Sequence, residues 1–439
     1  MPIAKTLFES VLWRGLVYIS TFVLNILIAR HFEAAISGNI YYFINLFSLV
    51  HLVTGLSLES GIIYFGAKKE INPTALFNFA ILWTLATTLI VWLLLKTFIT
   101  EAYSNLGAGE LRIYALCFVC GTMLYNYCAA LFYAQKNFRV PNLVSLFVNL
   151  FLIAMLPYGG DSLFAGITDD TYFYYYFVAF VLQGLVTAIA YVSHSRQKLN
   201  LQPLGKSSLQ LLFQYSLLAW LGNLLFFLLY RVDYWFVERY CSAQALGNYI
   251  QVSKFGNLFF LLPTMVATAI LPLAATEDKQ RMARWLAIIS RFFLFFYALV
   301  CLLLVFVGHR LFPLIFGETF DKMYTAFLWL IPGILSLSTL FTLTAFNAGK
   351  NRLKANMLGC VYALAVVIAG NALLVPSFGI NAAAATSSAG YIVYQVYLLI
   401  DFKKENGAAI LPFFIFRFDD AKALLKLVTS SKNPDGIQQ

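Results

Sequence analysis

The chain has 439 residues, 61% of them hydrophobic and only 11% charged. A soluble domain carries roughly 25% charged residues, so composition excludes a soluble protein and points to an all-α polytopic membrane protein. The formal net charge of +10 would raise nucleic acid as a partner for a soluble chain; in a membrane chain it is first a question of which side the basic residues occupy.

Taken in order, Met1–Leu7 runs into the first apolar stretch without a small-residue cleavage site and reads as an uncleaved signal anchor. Twelve crossing helices are predicted over 9–30, 38–66, 74–98, 113–135, 140–158, 172–194, 209–238, 246–274, 284–308, 324–348, 353–375 and 380–401. The fifth is short and ends at Gly159, Gly160 and Asp161. Cys117 and Cys120 form a C-x-x-C inside the fourth, with no flanking ligands, and read as small packing residues. Tyr172–Phe177, an unbroken aromatic run, fits an interfacial belt at the sixth. Pro263, Pro272 and Pro332 are expected to kink or end their helices. Beyond the last crossing, Leu411–Phe416 is too short to cross, and Asp419-Asp420 opens an amphipathic helix expected on the inner membrane surface.

With the N-terminus inside, twenty lysines and arginines fall on inner segments against six on outer ones. That bias puts both termini in the cytoplasm. It accounts for most of the positive charge, and no nucleic-acid partner is expected.

A short pattern occurs twice. Phe132-Tyr-Ala-Gln-Lys136-Asn137 with Asn142 returns as Phe346-Asn-Ala-Gly-Lys350-Asn351 with Asn356, 214 residues on. Arg30 with Gly38-Asn39 returns as Arg239 with Gly247-Asn248, 209 residues on. Two six-helix lobes follow, over 1–200 and 201–402 with a cytoplasmic tail over 403–439, related by a pseudo-two-fold along the membrane normal. Such repeats place a substrate path between them.

Charge at membrane depth is costly unless it is paired or faces water. Lys254 lies about 10 Å below the outer end of its helix and Glu59 about 13 Å from the inner end of its own, at 1.5 Å per residue. Arg231 and Asp233 are two apart and lie on different faces. Arg291 and Arg14 sit nearer the cytoplasmic side, where snorkelling is an equal explanation. The first-half counterparts of Arg231, Asp233 and Lys254 are Phe22, Leu24 and Asn45, so the second half carries most of the outer-half charge. Two readings stand: a structural ion pair of Lys254 with Asp233, or a polar cavity whose cations Lys254, Arg231, Arg291 and Arg14 hold an anion, with Glu59 and Asp233 serving ion coupling. No P-loop, H-E-x-x-H or G-x-S-x-G occurs, the four histidines are scattered, and outer loops are short. No enzyme activity, cofactor or metal is expected; a proton or sodium gradient is the candidate energy source.

Leu24–Arg30 with Gly38-Asn-Ile-Tyr41, Asp233 followed by Gly247-Asn-Tyr249, Leu271-Pro272, Phe316-Gly317, Ala348-Gly-Lys350 and Gly379–Ala384 form an ordered series over residues 8–402. The series resembles Wzx-type polysaccharide flippases of the multidrug/oligosaccharidyl-lipid/polysaccharide exporter superfamily. The resemblance implies alternating access by a V-shaped pair of lobes in the cytoplasmic (inner) membrane. The implied substrate is an undecaprenyl-pyrophosphate-linked oligosaccharide. Membrane lipids, a polysaccharide polymerase and chain-length machinery are the implied partners. Lys254 falls where related lipid II flippases carry a cavity arginine. Those relatives have Arg-Asp at Leu24-Asn25 and fourteen spans, so the departure points to the O-antigen or capsule branch. The multidrug branch is the alternative, although an acidic cavity would suit cationic drugs better.

Overall fold

The computed structural model describes residues 3–98, 107–157, 166–195, 202–276, 279–407 and 409–415. The chain is an all-α, multi-pass membrane protein. Apolar runs become helices because hydrocarbon offers no partner to a backbone amide or carbonyl, so each segment satisfies its own. In chain order the helices are α1 (Ile3–Gly55), α2 (Leu58–Lys68), α3 (Pro73–Phe98), α4 (Ala108–Ala134), α5 (Arg139–Ala154), α6 (Asp169–Ser195), α7 (Lys206–Arg231), α8 (Asp233–Tyr240), α9 (Ala243–Asn257), α10 (Leu261–Thr276), α11 (Lys279–Phe316), α12 (Met323–Gly349) and α13 (Leu353–Asn406). Among the described residues, eight helical stretches are long and apolar enough to cross a membrane. Two of these each hold two crossings, because α1 breaks at Glu33 and α13 at Gly379. The short α5 and the α9–α10 pair supply the others, which recovers the twelve expected crossings.

The breaks differ from the expected loops. Residues 31–37 are helical except for Glu33, whose φ of 60° and ψ of 177° suit glycine rather than a side chain. Gly379, with φ 61°, makes the equivalent break in α13 without that cost. Pro332 sits inside α12 without ending it, and Pro263 stands in the first turn of α10, where a missing amide costs little. The aromatic run is only partly a belt. Helical spacing turns Tyr172, Phe173, Tyr176 and Phe177 inward, onto Phe32 and Tyr114 among others, and leaves Tyr174 and Tyr175 outside. The expected amphipathic helix after Asp419 and the turn at Gly159–Asp161 lie outside the described residues.

The chain divides into two compact units, Met1–Glu33 with Ile40–Leu224, and Ala34–Asn39 with Leu225–Gln439. In the first, α4 and α6 cross closely: a side-chain carbon at Gly121 would lie 2.3 Å from the Phe180 backbone, and one at Gly184 would lie 2.7 Å from Gly121 O. Small residues of this kind let membrane helices approach. In the second, α12 and α13 meet in the same way at Gly333 and Ser388.

The duplicated motifs have clear structural work. The first is a helix-to-helix turn. Asn137 N donates to Phe132 O at 2.9 Å, and Arg352 N donates to Asn347 O at 2.7 Å. Each copy has one non-glycine residue in the left-handed region, Lys136 (φ 59°) and Asn351 (φ 57°). The repeated asparagines hold these turns: Asn142 Nδ2 donates to Phe138 O at 2.6 Å, and Asn356 Nδ2 donates to Thr344 O at 2.9 Å. The second motif makes a contact inside the second unit. A side-chain carbon at Gly38 would lie 2.6 Å from Gly247 Cα, and one at Gly247 would lie 1.8 Å from Ala34 O. Thr319 fastens the crossing: its Oγ1 accepts from Ala34 N at 3.1 Å, and its carbonyl accepts from Asn248 Nδ2 at 2.9 Å.

Candidate functional site

The second crossing is interrupted, contrary to the single helix expected over 38–66. After Gly55, Leu56 and Ser57 take left-handed backbone (φ 50° and 49°), and α2 restarts at Leu58. The carbonyls around the break are answered by side chains from three helices. Trp220 Nε1 donates to Leu52 O at 3.0 Å, Trp83 Nε1 to Thr54 O at 3.2 Å and Tyr127 OH to Gly55 O at 3.0 Å. Asn223 Nδ2 donates to Ser57 Oγ at 3.0 Å. An unanswered carbonyl in hydrocarbon costs several kcal/mol, and these donors remove that cost. Glu59 stands in the first turn of α2, half-buried. Among the described residues no other side chain bonds its carboxylate.

In the second unit α7 passes into α8 through Val232, whose backbone stays right-handed helical (φ −63°, ψ −31°) and whose amide donates to Leu228 O at 2.9 Å. Arg231 closes α7, and its NH1 donates to Tyr234 OH while the guanidinium lies 5.2 Å from the Tyr234 ring centroid. Asp233 opens α8 and is buried. Its Oδ1 accepts from Tyr234 N at 2.9 Å; its Oδ2 accepts from Tyr249 OH and, at 2.9 Å, from Ser387 Oγ. Tyr234 also packs edge-on against Tyr249. Lys254 lies in the last turn of α9, half-buried, just ahead of the 3-10 turn Leu258–Phe260 that interrupts the eighth crossing. The Arg231 charge acts on both Asp233 and Lys254. Thus Arg231 and Asp233 flank the junction of α7 with α8, and Lys254 precedes the 3-10 turn of the next crossing. The hydrogen bonds that fix Asp233 come from hydroxyls and an amide, not from the lysine ammonium.

The other predicted residues lie elsewhere. Arg291 is on α11 and only 5% exposed, so snorkelling does not describe it. Arg14 is exposed on α1 in the first unit, with its guanidinium 5.1 Å from the Tyr133 ring centroid. Tyr234, Tyr249 and Ser387 were not singled out by their sequence context. Tyr249 ends the Gly247-Asn-Tyr249 motif, and Ser387 lies in the polar run Thr386-Ser387-Ser388 of an apolar helix. Both were visible signals.

No family model matches the chain, and no curated protein matches it. Solved structures do. A lipid II flippase, MurJ, in an inward closed conformation is 14% identical, with 97% of this chain and 100% of that chain covered and a TM-score of 0.67. A multidrug resistance MATE family transporter of the MOP superfamily, inward-facing, is 11% identical over 89% of this chain and 94% of its own, with a TM-score of 0.69. The Vibrio cholerae MATE transporter VcmN, in the bent form, is 14% identical over 94% and 98%, with a TM-score of 0.61. The chain therefore shares its fold with these solved structures.

Proposed function

We propose that this chain is an alternating-access flippase. It moves an undecaprenyl-pyrophosphate-linked oligosaccharide, an O-antigen, capsule or exopolysaccharide repeat unit, from the inner to the outer leaflet of the cytoplasmic membrane, with both termini in the cytoplasm. The observation that carries the reading is the presence of two cations at membrane depth in the second unit, Arg231 at the junction of α7 with α8 and Lys254 just ahead of the 3-10 turn in the eighth crossing. Cations placed together at membrane depth repel one another and lose hydration. An anionic substrate group removes both penalties. A lipid diphosphate needs such groups, because its charge must be solvated throughout its passage. Interrupted helices in corresponding crossings of two repeats are the usual mark of a transporter binding site, and here the second and eighth crossings are both broken. The fold shared with a lipid II flippase along the whole chain supports the same substrate class.

Lys254→Ala tests it. Loss of a charge-assisted contact weakens binding by about ten- to hundred-fold. Surface-glycan output, normalised to membrane protein level, should fall accordingly, and Lys254→Arg should retain much of it. Normal output from a well-expressed Lys254→Ala would sink the anion-anchor role. The alternative, a cation-coupled multidrug exporter, draws on one observation, the Glu59 carboxylate at the helix break that no other side chain bonds among the described residues. It requires altered drug susceptibility, with glycan output unchanged, when Glu59 is replaced.

A further inference from the structure

The arginines beside the duplicated turn are held in two different ways. In the second unit Arg352, which follows the turn, is neutralised: its NH2 lies 2.9 Å from Asp401 Oδ1, and its NH1 lies 3.7 Å from Glu405 Oε2. Among the described residues of the first unit, no carboxylate forms an ion pair with the cations of the corresponding turn. The Arg14 guanidinium lies 5.1 Å from the Tyr133 ring centroid and 5.6 Å from that of Phe138. Arg139 lies 5.8 Å from the Trp13 ring centroid. Lys136 projects from the tip of the turn in left-handed backbone. All three cations are exposed. Glu9, the nearest described acid before them on α1, forms no ion pair with any of them.

An aromatic face orients a cation without cancelling its charge, whereas a carboxylate cancels it. The first-unit turn is therefore a held, uncancelled positive cluster. We propose that Arg14, Lys136 and Arg139 form a docking site for a lipid-borne phosphate. Guanidinium forks match phosphate oxygens in pairs, and the lysine adds a point charge. The same stretch of α1 exposes Val11, Leu12 and Leu16, and α5 exposes Phe147, Leu150 and Phe151. An acyl or prenyl chain attached to the phosphate needs apolar surface of that kind. A soluble phosphate does not. Identifying the transported lipid diphosphate as one occupant rests on the proposed transport reading; the binding itself does not.

The test is native mass spectrometry of the purified full-length protein titrated with phosphatidylglycerol, with phosphatidylcholine as the zwitterionic control and inorganic pyrophosphate as competitor. Each lost charge-assisted contact weakens binding by about ten-fold. Arg14→Gln/Arg139→Gln should therefore bind phosphatidylglycerol about hundred-fold more weakly than the wild type. Arg14→Lys/Arg139→Lys should retain most of the binding, and Lys404→Gln, an exposed cation on the second unit, should retain all of it. Should the double glutamine variant fail to fold, the two single variants are each read for the ten-fold loss. Equal phosphatidylglycerol binding by the wild type and the glutamine variants overturns the site. Displacement of the lipid by equimolar pyrophosphate overturns the lipid assignment in favour of a soluble phosphate. Lys254→Ala should bind phosphatidylglycerol as the wild type does, so this proposal and the transport reading fail separately.

Discussion

Glu59 and Asp233 are the acids at two helix starts, Glu59 just after a left-handed break and Asp233 where α7 passes into α8 through helical backbone. Their surroundings are opposite. Asp233 is enclosed by Tyr249, Ser387 and the Tyr234 amide, and its charge is spread over three donors. Glu59 has its break braced around it by Trp83, Trp220, Tyr127 and Asn223, but no other side chain binds its carboxylate. In one unit the donors serve the acid; in the other they serve the backbone and leave the acid available. A carboxylate that must give up three hydrogen bonds to change partners suits a fixed support. One that no other side chain bonds suits exchange with a proton or ion.

The largest expected effect is therefore on stability at Asp233. Asp233→Ala removes the acceptor that the Tyr249 and Ser387 hydroxyls share; they lie 3.3 Å apart and can bond each other, so one donor is left unbonded, at about 1–3 kcal/mol. A large drop in the thermal midpoint of the detergent-solubilised protein should follow. Asp233→Asn, which keeps an acceptor, should lose less. An unchanged midpoint in both would erase the contrast and return Asp233 to an ion-coupling role. Intermediate effects belong to the braces. Trp83→Phe or Tyr127→Phe removes one donor from a carbonyl at the break and should cost about 1–3 kcal/mol, read by the same melt. Neither should matter if the break is held by packing alone. The smallest effect is expected at Glu59. Glu59→Gln breaks no side-chain bond and should leave stability within about 0.5 kcal/mol. As a mimic of the protonated acid it should blunt the pH dependence of transport. A Gln variant with the wild-type pH profile would make Glu59 a bystander.

The crossings and the duplicated motifs were legible because they are local: apolar length, turn residues and spacing lie within a few positions of one another. The division of the charged groups between the units was legible for the same reason. The break after Gly55 was not. Leu56 and Ser57 carry no breaker signal, and their left-handed backbone persists because donors on α3, α4 and α7 converge on the freed carbonyls. Asp233 repeats the lesson. One partner, Tyr249, is 16 residues away, but Ser387 is 154 away, and only the packing of α8 against α13 unites them. The sequence also left open whether Lys254 pairs with Asp233, since residue type cannot distinguish a hydroxyl cage from an ion pair.

The crossing at Gly38 and Gly247 bears on how such chains diverge. Each glycine would press a new side chain into the main chain opposite, at 2.6 Å or less, and no change at the partner position makes room, because the obstacle is backbone. Compensating pairs of substitutions are therefore closed to these two positions, although they stay open to most packed residues. Both glycines are pinned in every descendant that keeps the crossing. Two glycines 209 positions apart, each followed by asparagine, then serve as a marker of common descent that outlasts overall identity. Searching distant sequences for that pair would recognise relatives that whole-chain similarity no longer detects.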